Sequence, residues 1–157
     1  MATSPAARTR SGFVVARVLL VDYLLFVGFT VWLPATISAK VTGLVGILAK
    51  WIAARGIADY YSSAVVLEFL ANVALFVPIG LLLALGWTRL RLWQVVVVGA
   101  AMTVVIEAVQ GFMPSRSPTI SDLIANTLGT FLGAAIVAVV ILLLEVPRPE
   151  ESRRLIA

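Results

Sequence analysis

The chain contains no histidine and no cysteine. Their absence excludes imidazole bases, thiolate nucleophiles and disulfides, together with most zinc, copper and iron sites. Charge is also scarce, because only 13% of the 157 residues are Asp, Glu, Lys or Arg. Any chemistry in this protein therefore depends on a small set of carboxylates, amides and guanidinium groups.

Apolar residues dominate what is present, at 61% of the chain with a mean hydropathy of +1.06. This composition predicts an all-α integral membrane protein, since a spanning helix needs roughly 20 apolar residues. We expect a bundle of four transmembrane helices, at residues 13–33, 64–86, 93–113 and 122–144. The predicted organisation is a cytoplasmic segment (1–12), a transmembrane domain (13–144) and a cytoplasmic tail (145–157).

The first predicted span includes two charged side chains, Arg17 and Asp22. Its Leu, Val and Phe residues favour insertion by roughly 0.3 to 0.6 kcal/mol each, whereas a central charge opposes it by about 2.5 to 3.5 kcal/mol. We therefore predict a span rather than a cleaved signal peptide, whose apolar core is shorter. We expect Arg17 to reach the lipid headgroups and Asp22, near mid-depth, to face other helices.

The distribution of Lys and Arg predicts the orientation of the chain. With a cytoplasmic N-terminus, the inner side holds Arg8, Arg10, Arg89, Arg91, Arg148, Arg153 and Arg154. The outer side then holds only Lys40, Lys50, Arg55 and Arg116. This bias favours two cytoplasmic termini. We expect the net charge of +4 to meet anionic lipid rather than nucleic acid.

The segment between the first two spans, residues 34–63, has apolar side chains at helical spacing. They are Ile37, Val41, Leu44, Val45, Leu48, Trp51 and Ile52. The pattern predicts an amphipathic helix that lies on the outer membrane surface. A poorly inserted or re-entrant segment is the alternative.

Seven polar side chains interrupt the apolar pattern. They are Glu68, Asn72, Glu107, Gln110, Arg116, Asp122 and Asn126. Alternating span directions place all of them towards the outer side, and members three or four positions apart share a helix face. Because lipid penalises every polar group that lacks a partner, we predict that these residues bind a ligand. Hydrogen bonding between helices is the alternative, and it is favoured for Asn72 and Asn126.

Small residues accompany these polar positions on two helix faces. The stripe on the fourth span is Asp122, Asn126, Gly129 and Gly133, and that on the third is Gly99, Thr103, Glu107 and Gln110. Gly129 and Gly133 form a GxxxG pair, which permits close helix approach. We expect the two stripes to face each other.

The same positions carry a motif pattern. It reads Glu68-Phe-Leu-Ala-Asn72, Leu75-Phe-Val-Pro-Ile-Gly80, Glu107-Ala-Val-Gln110, Arg116, Asp122-Leu and Asn126-Thr-Leu-Gly129, followed by Gly133. Over residues 68–133 this pattern resembles the VanZ-like family. The resemblance implies a bacterial envelope membrane protein. The founding member of that family is associated with low-level resistance to the lipoglycopeptide teicoplanin, and no reaction is agreed for the family.

Three hypotheses for function follow. The first is an outer-leaflet pocket, without a cofactor, that binds a lipid headgroup or a lipid-linked cell-wall precursor and lowers susceptibility to lipoglycopeptides. The second is an enzyme acting on a lipid phosphate or undecaprenyl-linked substrate, with a divalent cation held by Glu68, Glu107 and Asp122 and a phosphate held by Arg116. The third is a polar cluster that only joins helices in a membrane interaction protein.

Overall fold

The computed structural model describes residues 5–32, 43–112 and 119–145, and side chains within residues 11–29, 43–112 and 119–144. The described ranges form five helices and no strand. The helices are α1 (Pro5–Trp32), α2 (Gly43–Ala54), α3 (Tyr60–Gly86), α4 (Leu92–Gln110) and α5 (Ile120–Glu145). All except α2 are long and apolar enough to cross a membrane, which confirms the predicted all-α architecture with four spans.

Helix α3 is the centre of the bundle, because it contacts each of the other four helices. It runs antiparallel to α1 and α4 and parallel to α5, with which its contact is most extensive. The core joins Leu20 and Val27 of α1 to Phe76 and Ile79 of α3. These side chains are almost completely buried, so the apolar face of α1 is fixed against α3.

The contact between α3 and α5 depends on glycine. A Cβ atom added at Gly129 would collide with the carbonyl oxygen of Val73, and one added at Gly133 would collide with that of Val77. The GxxxG pair thus allows two backbones to approach, as expected. Its neighbour, however, is α3 and not α4, so the prediction that the two stripes face each other is wrong for these glycines.

Helix α4 meets α5 through a different side of α5. Gly99 of α4 lies against the side chain of Thr130, which is fully buried, while Gly80 of α3 lies against the Thr130 backbone. Successive residues are about 100° apart around a helix. Gly129 therefore contacts α3, whereas the side chain of Thr130 contacts α4. A single stripe of small residues is therefore not enough to name the helix that packs on it.

Pro78 lies inside α3, and the helix continues through it. Proline donates no hydrogen bond and its ring crowds the carbonyl one turn earlier, which disturbs that turn. The hydroxyl of Tyr23 on α1 donates a 2.8 Å hydrogen bond to the carbonyl oxygen of Leu75 in this turn. This bond also fixes which side of α1 faces the bundle.

Both ends of α3 are held by polar side chains. Asp59 caps its first turn, accepting a 2.9 Å hydrogen bond from the backbone N–H of Ser62. At the other end, Arg17 Nε donates to the carbonyl oxygen of Gly86 at 2.9 Å, and its guanidinium lies 4.8 Å from the Trp87 ring centroid. Arg17 therefore binds the negative end of a helix dipole, where the sequence suggested only a reach towards headgroups.

The structure also tests the predicted position of Asp22. Asp22 is exposed on the outside of the bundle, so the prediction that it faces other helices of this chain is wrong.

Helix α2 occupies part of the predicted amphipathic segment, and Ile37 and Val41 lie outside the described residues. It buries Ala49 completely and leaves Leu44 and Ile47 exposed. Its position on a membrane surface stays a prediction.

Candidate functional site

The predicted polar positions converge where α4 ends and α5 begins, which we call the polar end of the bundle. Asn72 Nδ2 donates a 2.6 Å hydrogen bond to Asp122 Oδ1. Asp122 is in the first turn of α5, whereas Asn72 follows the start of α3 at Tyr60 by three turns, or about 18 Å. The first part of α3 therefore extends beyond the start of α5, and α2 packs against α3.

Thr119 links the carboxylates of two helices. Its backbone N–H donates a 3.0 Å hydrogen bond to Glu107 Oε2 in the last turn of α4. Its hydroxyl accepts a 3.1 Å hydrogen bond from the backbone N–H of Asp122. Through this one residue the end of α4 is tied to the start of α5, and two acidic groups are held near each other.

Sequence analysis did not predict that Thr119 links the two helices, although a local signal was available. A threonine followed three residues later by an acidic residue, just before an apolar run, is a capping-box pattern. Thr119 and Asp122 have this spacing. The negative charge of Asp122 in the first turn also suits the positive end of the α5 dipole.

Asn126 lies one turn further along α5 than Asp122, on the same face. It is 4% exposed, and its Oδ1 atom is buried without a hydrogen-bond partner among the described residues. A buried acceptor that lacks a donor costs about 1 to 3 kcal/mol. Its oxygen is therefore an acceptor whose donor is missing from the described residues.

We name Asn72, Glu107, Asp122 and Asn126 the polar cluster. Gln110, near the end of α4, is also buried. Glu68 is exposed, one helical turn or about 6 Å from Asn72 towards the start of α3. It lies at the rim of the polar cluster. Arg116 lies outside the described residues, so its relation to the polar cluster stays a prediction.

The described part of the polar cluster is rich in acceptors. Its acceptors are two carboxylates and two amide oxygens, and its side-chain donors are the amide groups of Asn72, which already bonds to Asp122, and Asn126. Within the described residues, no three Asp, Glu, His or Cys side chains come close enough to hold a metal ion. The arrangement suits a ligand that presents hydrogen-bond donors such as hydroxyl or ammonium groups.

An apolar groove with a volume of about 380 Å³ lies between α4 and α5. It is lined by Val96 of α4 and by Leu123, Ile124, Thr127, Leu128 and Phe131 of α5. It extends along α5 for about 12 Å, on the side of this helix opposite to Asp122 and Asn126. A groove of this length and polarity matches part of an acyl chain.

Comparison with known proteins agrees with the motif pattern. Residues 19–143 match the model of the family described as VanZ/LLP1. This range includes the whole polar cluster and most of the 157 residues. No curated protein and no solved structure gives a significant match. The chain belongs to the VanZ/LLP1 family, and its four apolar spans make it a multi-pass membrane protein.

Proposed function

We propose that the polar cluster binds the headgroup of a membrane lipid or of a lipid-linked cell-wall precursor, and that this binding lowers susceptibility to lipoglycopeptides such as teicoplanin. The observation that carries the proposal is the buried Asn126 oxygen, which has no donor among the described residues and lies one helical turn along α5 from the Asp122 carboxylate. Ionisable groups in a membrane protein are costly, and helix fastening does not require an acceptor to stay unsatisfied. A headgroup with hydroxyl or amine groups supplies the missing donors.

The membrane setting supports a lipid rather than a small soluble ligand, because lipids surround the four apolar spans that carry the polar cluster. Glu68, at the rim, and Arg116, in the connection between α4 and α5, are expected to contact the outer part of the headgroup.

The proposed setting is the cytoplasmic membrane of a bacterium, with both termini in the cytoplasm. The excess of Lys and Arg on the inner side supports this orientation, which puts the polar cluster in the outer leaflet. Lipid-linked cell-wall precursors and lipoglycopeptides meet at that surface. Membership of the VanZ/LLP1 family supports the same setting.

The test combines drug susceptibility with lipid analysis. The variants Asp122→Asn and Glu107→Gln each remove one negative charge at nearly constant volume, and Arg116→Ala removes one positive charge. The matched control for loss of a cation is Arg89→Ala, beyond the opposite end of α3. We expect the first three to lose protection against teicoplanin and to lose a lipid that co-purifies with the wild-type protein. Arg89→Ala should retain both.

The outcomes separate the three hypotheses. Normal membrane levels with loss of protection and of lipid support binding. Loss of protein from the membrane in all three variants supports a purely structural cluster. Metal-dependent turnover of labelled undecaprenyl-linked substrate by the wild-type protein would establish the enzyme instead. Variants with normal levels, unchanged protection and unchanged lipid contradict the proposal.

A further inference from the structure

Asp22 stands at the middle of the α1 span, which covers Ser11–Phe29, and its side chain is exposed. The residues of α1 that face the bundle (Ala16, Leu20, Tyr23 and Val27) lie about 100° to 160° away around the helix. Tyr23 is hydrogen-bonded to Leu75, so α1 cannot rotate to bring Asp22 into the bundle without breaking that bond. The carboxyl group is held outward at mid-depth.

The Asp22 side chain forms no hydrogen bond or ion pair with any other described residue. Its short side chain is about 10 Å from the nearer end of the span and cannot reach water. The only basic residue in the four spans is Arg17, which is engaged with the Gly86 carbonyl oxygen and the Trp87 ring. A carboxyl group facing lipid in this way requires a partner from outside the chain.

The residues around Asp22 form a regular row along the outside of α1. Val15, Val18, Asp22, Leu25 and Phe29 are spaced alternately by three and four positions. The four apolar members are 54%, 54%, 69% and 69% exposed. This is the heptad spacing of a helix–helix seam, with one polar residue at its central position. We call these five residues the outward row.

We propose that the outward row binds the outward row of a second copy of this chain. Two copies inserted with the same orientation present parallel α1 helices, and a two-fold axis along the membrane normal brings each residue of the row to its own counterpart. The two Asp22 side chains then meet at equal depth, where they hydrogen-bond to each other. A single polar pair in an apolar seam fixes its register.

The absence of native cysteine makes the proposal directly testable. Single Val18→Cys and Leu25→Cys substitutions place a thiol on the outward row, and Val21→Cys places one about 80° from its centre. All three positions are exposed and apolar. We expect oxidation in membranes to give a dimer of twice the 16.8 kDa chain from the first two variants. Val21→Cys should give about tenfold less, because disulfides require close Cβ atoms.

Substitution of Asp22 in the Leu25→Cys background tests the polar pair. Asp22→Asn should keep the cross-link, because an amide both donates and accepts, whereas Asp22→Leu should reduce it roughly fivefold. Since Asp22 is outside the bundle, neither change disturbs packing within one chain. Equal cross-linking at all three cysteine positions, or none, overturns the proposal. Loss of the cross-link in Asp22→Asn also overturns it, because two amides can hydrogen-bond to each other and the proposed pair should survive.

Discussion

The Asn72 amide and the Asp122 carboxylate join the middle of α3 to the first turn of α5 through a hydrogen bond of 2.6 Å. These two helices run parallel, and the bond lies at the same end of their contact as the pair formed by Val73 and Gly129. It therefore sets the relative height of α3 and α5 at the polar end. The relative positions of the four residues of the polar cluster depend on that height.

A double-mutant cycle of Asn72→Ala and Asp122→Ala should measure this bond directly. Side-chain hydrogen bonds between membrane helices contribute about 0.6 to 2 kcal/mol, so we expect a coupling free energy in that range. Unfolding in mixed micelles with increasing denaturing detergent provides the measurement. Additive effects of the two substitutions would show that the bond adds no stability of its own.

Asn126→Leu separates ligand contact from helix fastening. Because the substitution removes a buried acceptor that has no donor, we expect a smaller loss of unfolding free energy than for Asn72→Leu. Protection against teicoplanin and the co-purifying lipid should nevertheless be lost. If Asn126→Leu destabilises the protein as much as Asn72→Leu does, the role of Asn126 is structural.

Gly133→Ala should disrupt the contact between α3 and α5. The new Cβ would collide with the carbonyl oxygen of Val77, which is backbone and cannot turn aside. We expect a loss of about 1 to 3 kcal/mol in unfolding free energy, typical of overpacking. Gly12→Ala is the matched control, because nothing lies within 4 Å of a Cβ there. Equal stability of the two variants would contradict this account of the contact.

Arg17→Lys tests the end of α3. A lysine keeps the charge but has no Nε–H beside a planar guanidinium, so it cannot make the same bond to Gly86 and stack on Trp87 together. We expect a loss of about 0.5 to 1.5 kcal/mol. Arg89→Lys, a conservative change at an exposed position, should leave the unfolding free energy unchanged. Unfolding curves of the two variants in micelles provide the comparison.

The first turn of α3 should loosen in acid. Hydrogen bonds from the Ser62 hydroxyl and then from its backbone N–H lower the pKa of Asp59 below its ordinary value of 3.8. Because the pKa of Asp59 is lower in the folded state, its cap stabilises the helix fully at pH values above the pKa of Asp59 in the unfolded chain. This stabilisation is lost as the pH falls through the pKa of Asp59 in the folded state. Amide exchange at Ser62 and Ser63, compared at each pH with Asp59→Asn, measures this loss. A wild-type response parallel to that of Asp59→Asn contradicts it.

The spans themselves were predictable from the sequence. Lipid provides no hydrogen bonds to backbone groups, so an apolar run of sufficient length has to form a helix. The observed helices differ from the predicted ones mainly at their ends. Helix α3, for example, begins at Tyr60 because Asp59 caps it there. The family could also be identified from the sequence, because the polar and small residues between Glu68 and Gly133 occur in a specific order.

The sequence by itself determined which residues share a helix face, since that follows from the turn per residue. Only the tertiary structure decided which neighbour each face meets. Gly129 contacts α3, whereas the side chain of Thr130 contacts α4. Asp22 faces outward, and Arg17 binds the end of α3. The physical reason is that a stripe of small or polar residues suits any close helix equally well. The choice among neighbours depends on the shapes and bonds of all the helices together.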